Sequence, residues 1–455
     1  MRYHLTTLGC AKNTVDSIRL ERTLRNLRHT PVTTPDLADL ILVNTCGFID
    51  AAKDESIQTV KTLESARRPN QQLYVIGCMT QIAATEVRTA VPNITATYGA
   101  EAWEQIAADL GPASDTYDIP QPSPSPLEGE GWGERSSSAY LKISDGCDRP
   151  CTFCIIPPIK GRMHSDTTER LINEARWLAA SGVKELVLVA QDSTAYGEDA
   201  GQRDGLATFL ERLSEAVPHV PWIRLMYAYP GRVTPRLAHA MAALPNIVPY
   251  MDMPLQHGSD AVLHRMKRPS LRVARQSIQH VRDAMPDIAL RTTFIVGYPG
   301  ETEREFQELL DFVQEQRFHH IGAFTYSPQP GTPAAQLPQL TEKTKQRRYA
   351  RLMELAQAIS LEHNRALVGQ ELDVLIESET PTQGEHGTGA VSVGRTHRDA
   401  PEVDGLALVK GEYPAGTMIR VRVDGALHYD LLCTPVGISS VPQALAIPLH
   451  PITRP

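Results

Sequence analysis

Cys147-Asp-Arg-Pro-Cys151-Thr-Phe-Cys154 is a C-x3-C-x2-C run that directly follows a strand-like stretch. Spacings this short let three thiolates point into one concavity. Soft thiolates select zinc or an iron–sulfur cluster. Structural zinc takes a fourth protein ligand. No further cysteine or histidine follows at a short interval, and the next candidate is His164. A four-iron cluster held by three cysteines would keep one iron open to a small molecule. A single cysteine is ordinarily a small buried hydrophobe. Three so close together argue for a shared metal, and on spacing alone zinc and a cluster both stand.

Three more cysteines close strand-like runs: YHLTTLGC ends at Cys10, DLILVNTC at Cys46 and QLYVIGC at Cys78. Each run gives way to a helical stretch. Alternating strands and helices over residues 1–110 predict an open parallel α/β sheet. Ligands of such sheets bind beyond the carboxyl ends of the strands. The three thiols therefore share one end of the sheet although they are far apart in sequence. The seventh cysteine, Cys433, lies in the apolar run YDLLC and reads as core.

The rest of the chain supplies elements that position these groups. Residues 111–138 are rich in Pro, Ser and Gly and read as a disordered linker, with Trp132 as a lone exposed aromatic. Residues 139–365 alternate again, with six candidate strands, enough for a partial (β/α)6 barrel. Its chemistry belongs at the carboxyl ends of the strands. Gln191 and Asp192 close the second strand there, and Gln256 and His257 the fourth. For His257 a hydrogen-bonded structural role is favoured. The turn Gly297-Tyr-Pro-Gly300-Glu301 follows the fifth strand, and either lets backbone approach a ligand or simply caps a helix. Residues 366–436 hold short strands broken by Gly, Pro and Asp, which predicts a small OB-like β-barrel. Residues 437–455 read as a loose tail.

A chain of 455 residues with 42% hydrophobic and 22% charged residues is an ordinary globular protein of two to four domains. The start, MRYHLTTLGC, enters a strand-like run without the pattern of an export signal, and no window approaches a membrane span. Seven widely spaced cysteines in such a chain favour metal binding or catalysis over disulfides. A cytoplasmic protein is expected. The net charge of −8 and pI of 6.0 lack the basic excess of a broad nucleic-acid-binding face.

The C-x3-C-x2-C run, with Phe153 before its last cysteine, resembles the radical S-adenosylmethionine (SAM) signature. The whole layout is similar to the methylthiotransferases: a three-cysteine N-terminal domain, a radical SAM barrel and a terminal TRAM barrel. The resemblance implies two 4Fe–4S clusters, one on Cys147, Cys151 and Cys154 and an auxiliary one on Cys10, Cys46 and Cys78. It also implies SAM, bound near Phe153, Gln191, Asp192, Gln256, Gly297 and Gly300, and an electron donor such as a reductase, flavodoxin or ferredoxin.

Two branches of this family compete, one acting on a tRNA adenosine and one on the β-carbon of an aspartate in small-subunit ribosomal protein S-twelve. The stretches TLGCAKNTVDS, AQDSTAYGED, MDMPLQHGSDAVLHRMKRP and GRTHRDAPEVDG resemble the second, whose partner is the ribosomal protein or the assembled ribosome. Ala11, Ile18 and Lys160 depart from the branch's usual Pro, Glu and Arg. Residues 366–436 carry five Lys/Arg against eleven Asp/Glu, which suits a basic protein better than RNA phosphates. Asp399, Glu402 and Asp404 are the expected exposed acids of that contact. A non-catalytic zinc or iron–sulfur protein that binds ribosomes is the alternative from another class.

Overall fold

A computed structural model describes residues 1–48, 50–111, 137–378 and 390–436. Its first sheet is built from β1 (Arg2–Thr7), β2 (Thr30–Pro31), β3 (Leu40–Thr45), β4 (Gln72–Gly77) and β5 (Ala96–Thr97). All are parallel, in the order β2-β1-β3-β4-β5. Every residue of β3 is buried, because helices cover both faces. Ile41 and Val43 point to Val60 of helix Asp50–Ala66 and Met79 of helix Cys78–Ala90. Leu40 and Leu42 point the other way, to Leu20 and Leu24 of helix Ala11–Asn26 and Ile106 of helix Trp103–Leu110.

The central sheet comprises β6 (Ser138–Lys142), β9 (Glu185–Val189), β10 (Trp222–Leu225), β11 (Ile247–Asp252), β12 (Ala289–Val296) and β13 (His320–Thr325). Between β6 and β9 lie β7 (Ser144–Asp145) and β8 (His164–Ser165), an antiparallel pair at the base of the loop that carries Cys147, Cys151 and Cys154. The six long strands are parallel, in the order β13-β12-β11-β10-β9-β6, a sheet curled as a partial barrel. Leu141, Leu186, Leu188, Ile223, Leu225 and Leu290 pack outward on helices. Alternate residues, among them Tyr140, Val187, Trp222 and Tyr250, line the concave face with Val15 of the first helix. Ser138, read above as linker, is buried and begins β6, where its hydroxyl donates to Glu185 at 2.8 Å. Most of the expected linker, including Trp132, and the expected tail lie outside the described residues.

Helix Glu342–Arg365 leads to a closed barrel of β14 (Glu371–Ser378), β15 (Val391–Thr396), β16 (Ala407–Lys410), β17 (Met418–Ala426) and β18 (Leu431–Pro435). Cys433 lies in its apolar core with Val374, Val409 and Val423. The loop from β15 to β16 corrects one expectation. It does not face outward but enters the concave side of the six-stranded sheet, where Ala400 joins the cluster of Tyr140, Trp222 and Tyr250. Asp404 accepts from Tyr250 Oη at 2.6 Å and Arg291 Nε at 3.2 Å. Asp399 is buried and accepts from both the amide and the hydroxyl of Thr396. Of the three acids expected at the surface only Glu402 is exposed. The cause is charge pairing: Arg291 lies on the sheet's inner face, and an acid must meet it. Among the described residues no helix is long and apolar enough to cross a membrane.

Candidate metal and cofactor site

Three glycines bring the N-terminal cysteines together. Gly9 has φ +96°, and a Cβ on it would lie 2.7 Å from Cys46 Cβ and 3.0 Å from Cys46 Sγ. A Cβ on Gly47 would lie 2.8 Å from Met79 Cα, and one on Gly77 2.4 Å from Asn44 Oδ1. The three loops thus approach within distances that only glycine permits. Asn13 knits them: Nδ2 donates to Leu8 O at 2.9 Å and Thr45 O at 3.1 Å, and Oδ1 receives Cys78 Sγ at 3.5 Å. Cys46 is fixed through its backbone, which bonds Ser56 Oγ at 3.2 and 3.1 Å. Cys10 is exposed, while Cys46 and Cys78 are buried. Burial raises the Cys46 thiol and pushes Cys78 up to about 12, with Lys160 opposing it. Metal ligation removes such protons outright.

The second set sits on the loop between β7 and helix Ile156–Lys160. Gly146, at φ +71°, lets the loop base close; a Cβ there would lie 2.2 Å from Arg162 O. The loop tip is pinned by Thr152, whose hydroxyl meets Arg265 O at 3.0 Å and Tyr298 Oη at 2.9 Å. Donors surround the sulfurs: the Ile156 amide reaches Cys154 Sγ at 3.4 Å, and Arg268 Nη1 reaches Cys151 Sγ at 3.8 Å. Such donors suit a thiolate-held anionic cluster. Burial raises the Cys147 thiol and pushes Cys154 up to about 12. His164, the sequence's candidate for a fourth zinc ligand, turns elsewhere: Nδ1 meets Arg162 O at 3.4 Å and Nε2 lies 3.8 Å from Glu101.

Of the six residues expected around SAM, two lie beside this loop. Asp192 is buried and accepts from Arg149 Nε at 2.7 Å, and together with Cys147 it lines a small cleft. Among the described residues Gln191 Oε1 is buried without a hydrogen-bond partner, an acceptor with no donor beside it. Three of the other four are also engaged within the protein. Phe153 packs on Val262, Met266, Tyr298 and Tyr326. Gln256, at φ +77°, is bridged through its backbone to β12, donating to Thr293 O at 2.9 Å and accepting from Ile295 N at 2.8 Å. The Gly297 amide donates to Glu301 at 2.7 Å, and a Cβ there would lie 2.5 Å from Lys345 Cγ. Gly300, at φ +74°, faces open space. Thr302 then caps helix Glu303–Gln316 through a capping box with Glu305. His257 is fully buried; Nδ1 accepts from the Ser259 amide at 3.0 Å, and Nε2, 3.6 Å from Glu301, has no hydrogen-bond partner among the described residues.

Sequence reasoning missed the ion pairs that join the two cysteine-bearing units. Lys142 Nζ meets Asp145 at 2.6 Å and Glu101 at 3.1 Å, and also bonds Asp16. Lys160 Nζ lies 3.0 Å from both Asp16 and Asp145. Burial alone would raise Asp145, but Glu101, Lys142 and Lys160 hold its carboxyl well below the ordinary range. Lys160 thus supplies a cation at its departure from the branch pattern. Asp16, Glu101 and Asp145 bring carboxylate oxygens within 4.8 Å of one another, with two ammonium groups among them. The available signal was a lysine inside the otherwise apolar run AYLKI. Also unforeseen was Tyr229, its ring flanked by Arg149 at 4.7 Å and Arg268 at 4.2 Å.

Three family models match the chain: the Radical SAM superfamily over residues 141–313, an uncharacterized protein family (UPF0004) over 2–99, and the TRAM domain over 368–436. Relatives named ribosomal protein uS12 methylthiotransferase RimO match along nearly the whole length. The protein from Chloroflexus aurantiacus is 46% identical, covering 95% of this chain and 99% of its own. That from Roseiflexus castenholzii is 43% identical, covering 96% and 97%. Among solved structures, the radical S-adenosylmethionine methyltransferase TsrM from Kitasatospora setae superposes with a TM-score of 0.55 at 13% identity, over 73% of this chain and 74% of that one. This last likeness is one of fold.

Proposed function

Because the chain belongs to the ribosomal protein uS12 methylthiotransferases, we propose that it adds a methylthio group to the β-carbon of an aspartate in that small-subunit protein. What supports the reading is the pair of three-cysteine sets, whose thiols are near enough within each set to act on one another electrostatically, with the two sets' units joined by the Asp16–Lys142–Asp145–Lys160 pairs. Cys147, Cys151 and Cys154 would hold one 4Fe–4S cluster, and Cys10, Cys46 and Cys78 the other. When bound, these groups and SAM supply the radical that takes hydrogen from the substrate carbon and the sulfur that replaces it. The chain's own residues bind, orient and exclude water. Gln191 Oε1 offers an acceptor to the SAM amino group, and Asp192 holds Arg149 against the Cys147 loop. An external one-electron donor, a flavodoxin, ferredoxin or reductase, completes the cycle in the cytoplasm, on free uS12 or the assembled ribosome.

The test is anaerobic reconstitution followed by mass spectrometry of uS12 and tRNA incubated with the enzyme, SAM and a reductant. About eight iron atoms per chain are expected, with a methylthio group on the ribosomal protein. Replacing Cys147, Cys151 and Cys154 with Ala should halve the iron and abolish reductive cleavage of SAM. Modification of tRNA in place of the protein overturns the substrate. SAM cleavage by the triple variant overturns the cluster assignment.

A further inference from the structure

Lys12 stands two residues after Cys10, in the first turn of helix Ala11–Asn26. Neighbouring Ala11 and Val15 pack into the concave face of the six-stranded sheet, so this turn lies at the barrel mouth. Lys12 Nζ sits 3.6 Å from the centroid of the Tyr227 ring. Tyr227 follows β10 and has φ +60°, a conformation that costs a bulky residue and persists only where surroundings enforce it. They do so here: its amide donates to Asp252 Oδ2 at 3.2 Å, and its carbonyl accepts from Ser193 N at 3.0 Å. Ser193 is the neighbour of Asp192. The ring is therefore a fixed seat for an ammonium group, between Cys10 and the edge that carries Gln191 and Asp192.

Most cations in this region already have acids. Lys142 and Lys160 share Asp16 and Asp145, Arg149 holds Asp192, and Arg291 holds Asp252 and Asp404. Among the described residues Lys12 forms no ion pair, although it is half-buried. Its neighbours are the Tyr227 side chain, which also takes a hydrogen bond from it, the Cys10 thiol and, more weakly, Asp145, so an ammonium with three donors has no carboxylate in direct contact. A carboxylate brought by a ligand would complete it.

We propose that Lys12 receives the side-chain carboxylate of the substrate aspartate and thereby selects an acidic residue at the mouth between the two cysteine sets. The inference rests on the methylthiotransferase reading above. The β-carbon is one bond from the carboxylate carbon, so an anchored carboxylate also fixes the reacting carbon. A nucleobase offers this ammonium only neutral acceptors, and no carboxylate. Lys12 is a positioning and specificity residue and passes no proton.

The test uses reconstituted holoenzyme and two peptides copying the uS12 segment around its target, one with Asp and one with Asn at that position. Binding is read by fluorescence anisotropy and turnover by mass spectrometry. Wild type should prefer the Asp peptide by about tenfold or more, the scale of a charge-assisted hydrogen bond. In Lys12→Met the preference should fall to about one, because the partner that senses the charge is gone. Lys12→Arg should keep the preference with a raised KM. An equal preference in wild type and Lys12→Met overturns the proposal, as does a wild type that binds both peptides alike. The latter decides the matter even if Lys12→Met fails to load its clusters. Wild type that modifies tRNA and neither peptide instead overturns the family reading.

Discussion

Arg395 in the terminal barrel donates from Nη2 to Glu185 Oε2 at 2.5 Å, joining residues 210 positions apart. Glu185 also accepts from Arg224 Nε at 2.7 Å, and all three side chains are buried. Burial alone would raise the Glu185 carboxyl, but Arg395 and Arg224 bring it down to about 2 from an ordinary 4.5. A lowered pKa means that stability is complete above the unfolded value and is lost as pH falls through the folded one. Removing one partner of such a set costs about 3–5 kcal/mol. Arg395→Met should therefore lower the urea midpoint and expose the β15–β16 loop to limited proteolysis. Unchanged stability and protection would show that the terminal barrel is held by its apolar contacts alone.

Gly9→Ala isolates the auxiliary site. Its Cβ would meet Cys46 Cβ at 2.7 Å in a backbone conformation that alanine resists. The variant should lose about half its iron, keep reductive SAM cleavage and lose methylthio transfer. Replacing Cys10, Cys46 and Cys78 together should give the same pattern. Full iron content in Gly9→Ala would mean that the loops relax around the added methyl.

His319 supplies a second pH dependence of the same sign, set in a higher pH range. Its Nδ1 accepts from the Leu290 amide at 3.2 Å, and its ring stacks on His363 at 4.1 Å. Burial, then the neighbouring His363 and Arg398, lower its pKa to about 2. The folded state holds His319 neutral while the unfolded chain takes a proton below about 6.5. Stability should then fall as pH drops below that value, by at most about 1.4 kcal/mol per unit for one group. Thermal midpoints from pH 7 to 5 should decline in the wild type and less in His319→Asn, which keeps an acceptor that does not titrate. Parallel slopes would assign the decline to other groups.

The cysteine sets were legible because strand ends are visible in sequence, and each set lies at such ends. Cys10, Cys46 and Cys78 close β1, β3 and β4, and Cys147 follows β7. The inward course of GRTHRDAPEVDG was not legible. An acid such as Asp404 between Gly and Pro residues looks the same whether it meets water or a guanidinium. Only Arg291, more than 100 residues earlier, decides between them. The Asp16–Lys160 pair is hidden for the same reason, since its members are 144 positions apart. Phe153 was legible only as part of the cysteine run; the cluster its ring packs on, with Val262, Met266, Tyr298 and Tyr326, lies more than 100 positions away.

The loop that carries Ala400 and Asp404 has a consequence for how a partner approaches. It closes the end of the barrel where the strands begin, and helix Ala11–Asn26 lies along β6. Approach is left to the opposite rim, where the cysteine loops stand. A group that is to meet the cysteine loops must enter from that rim, since the β15–β16 loop occupies the other end.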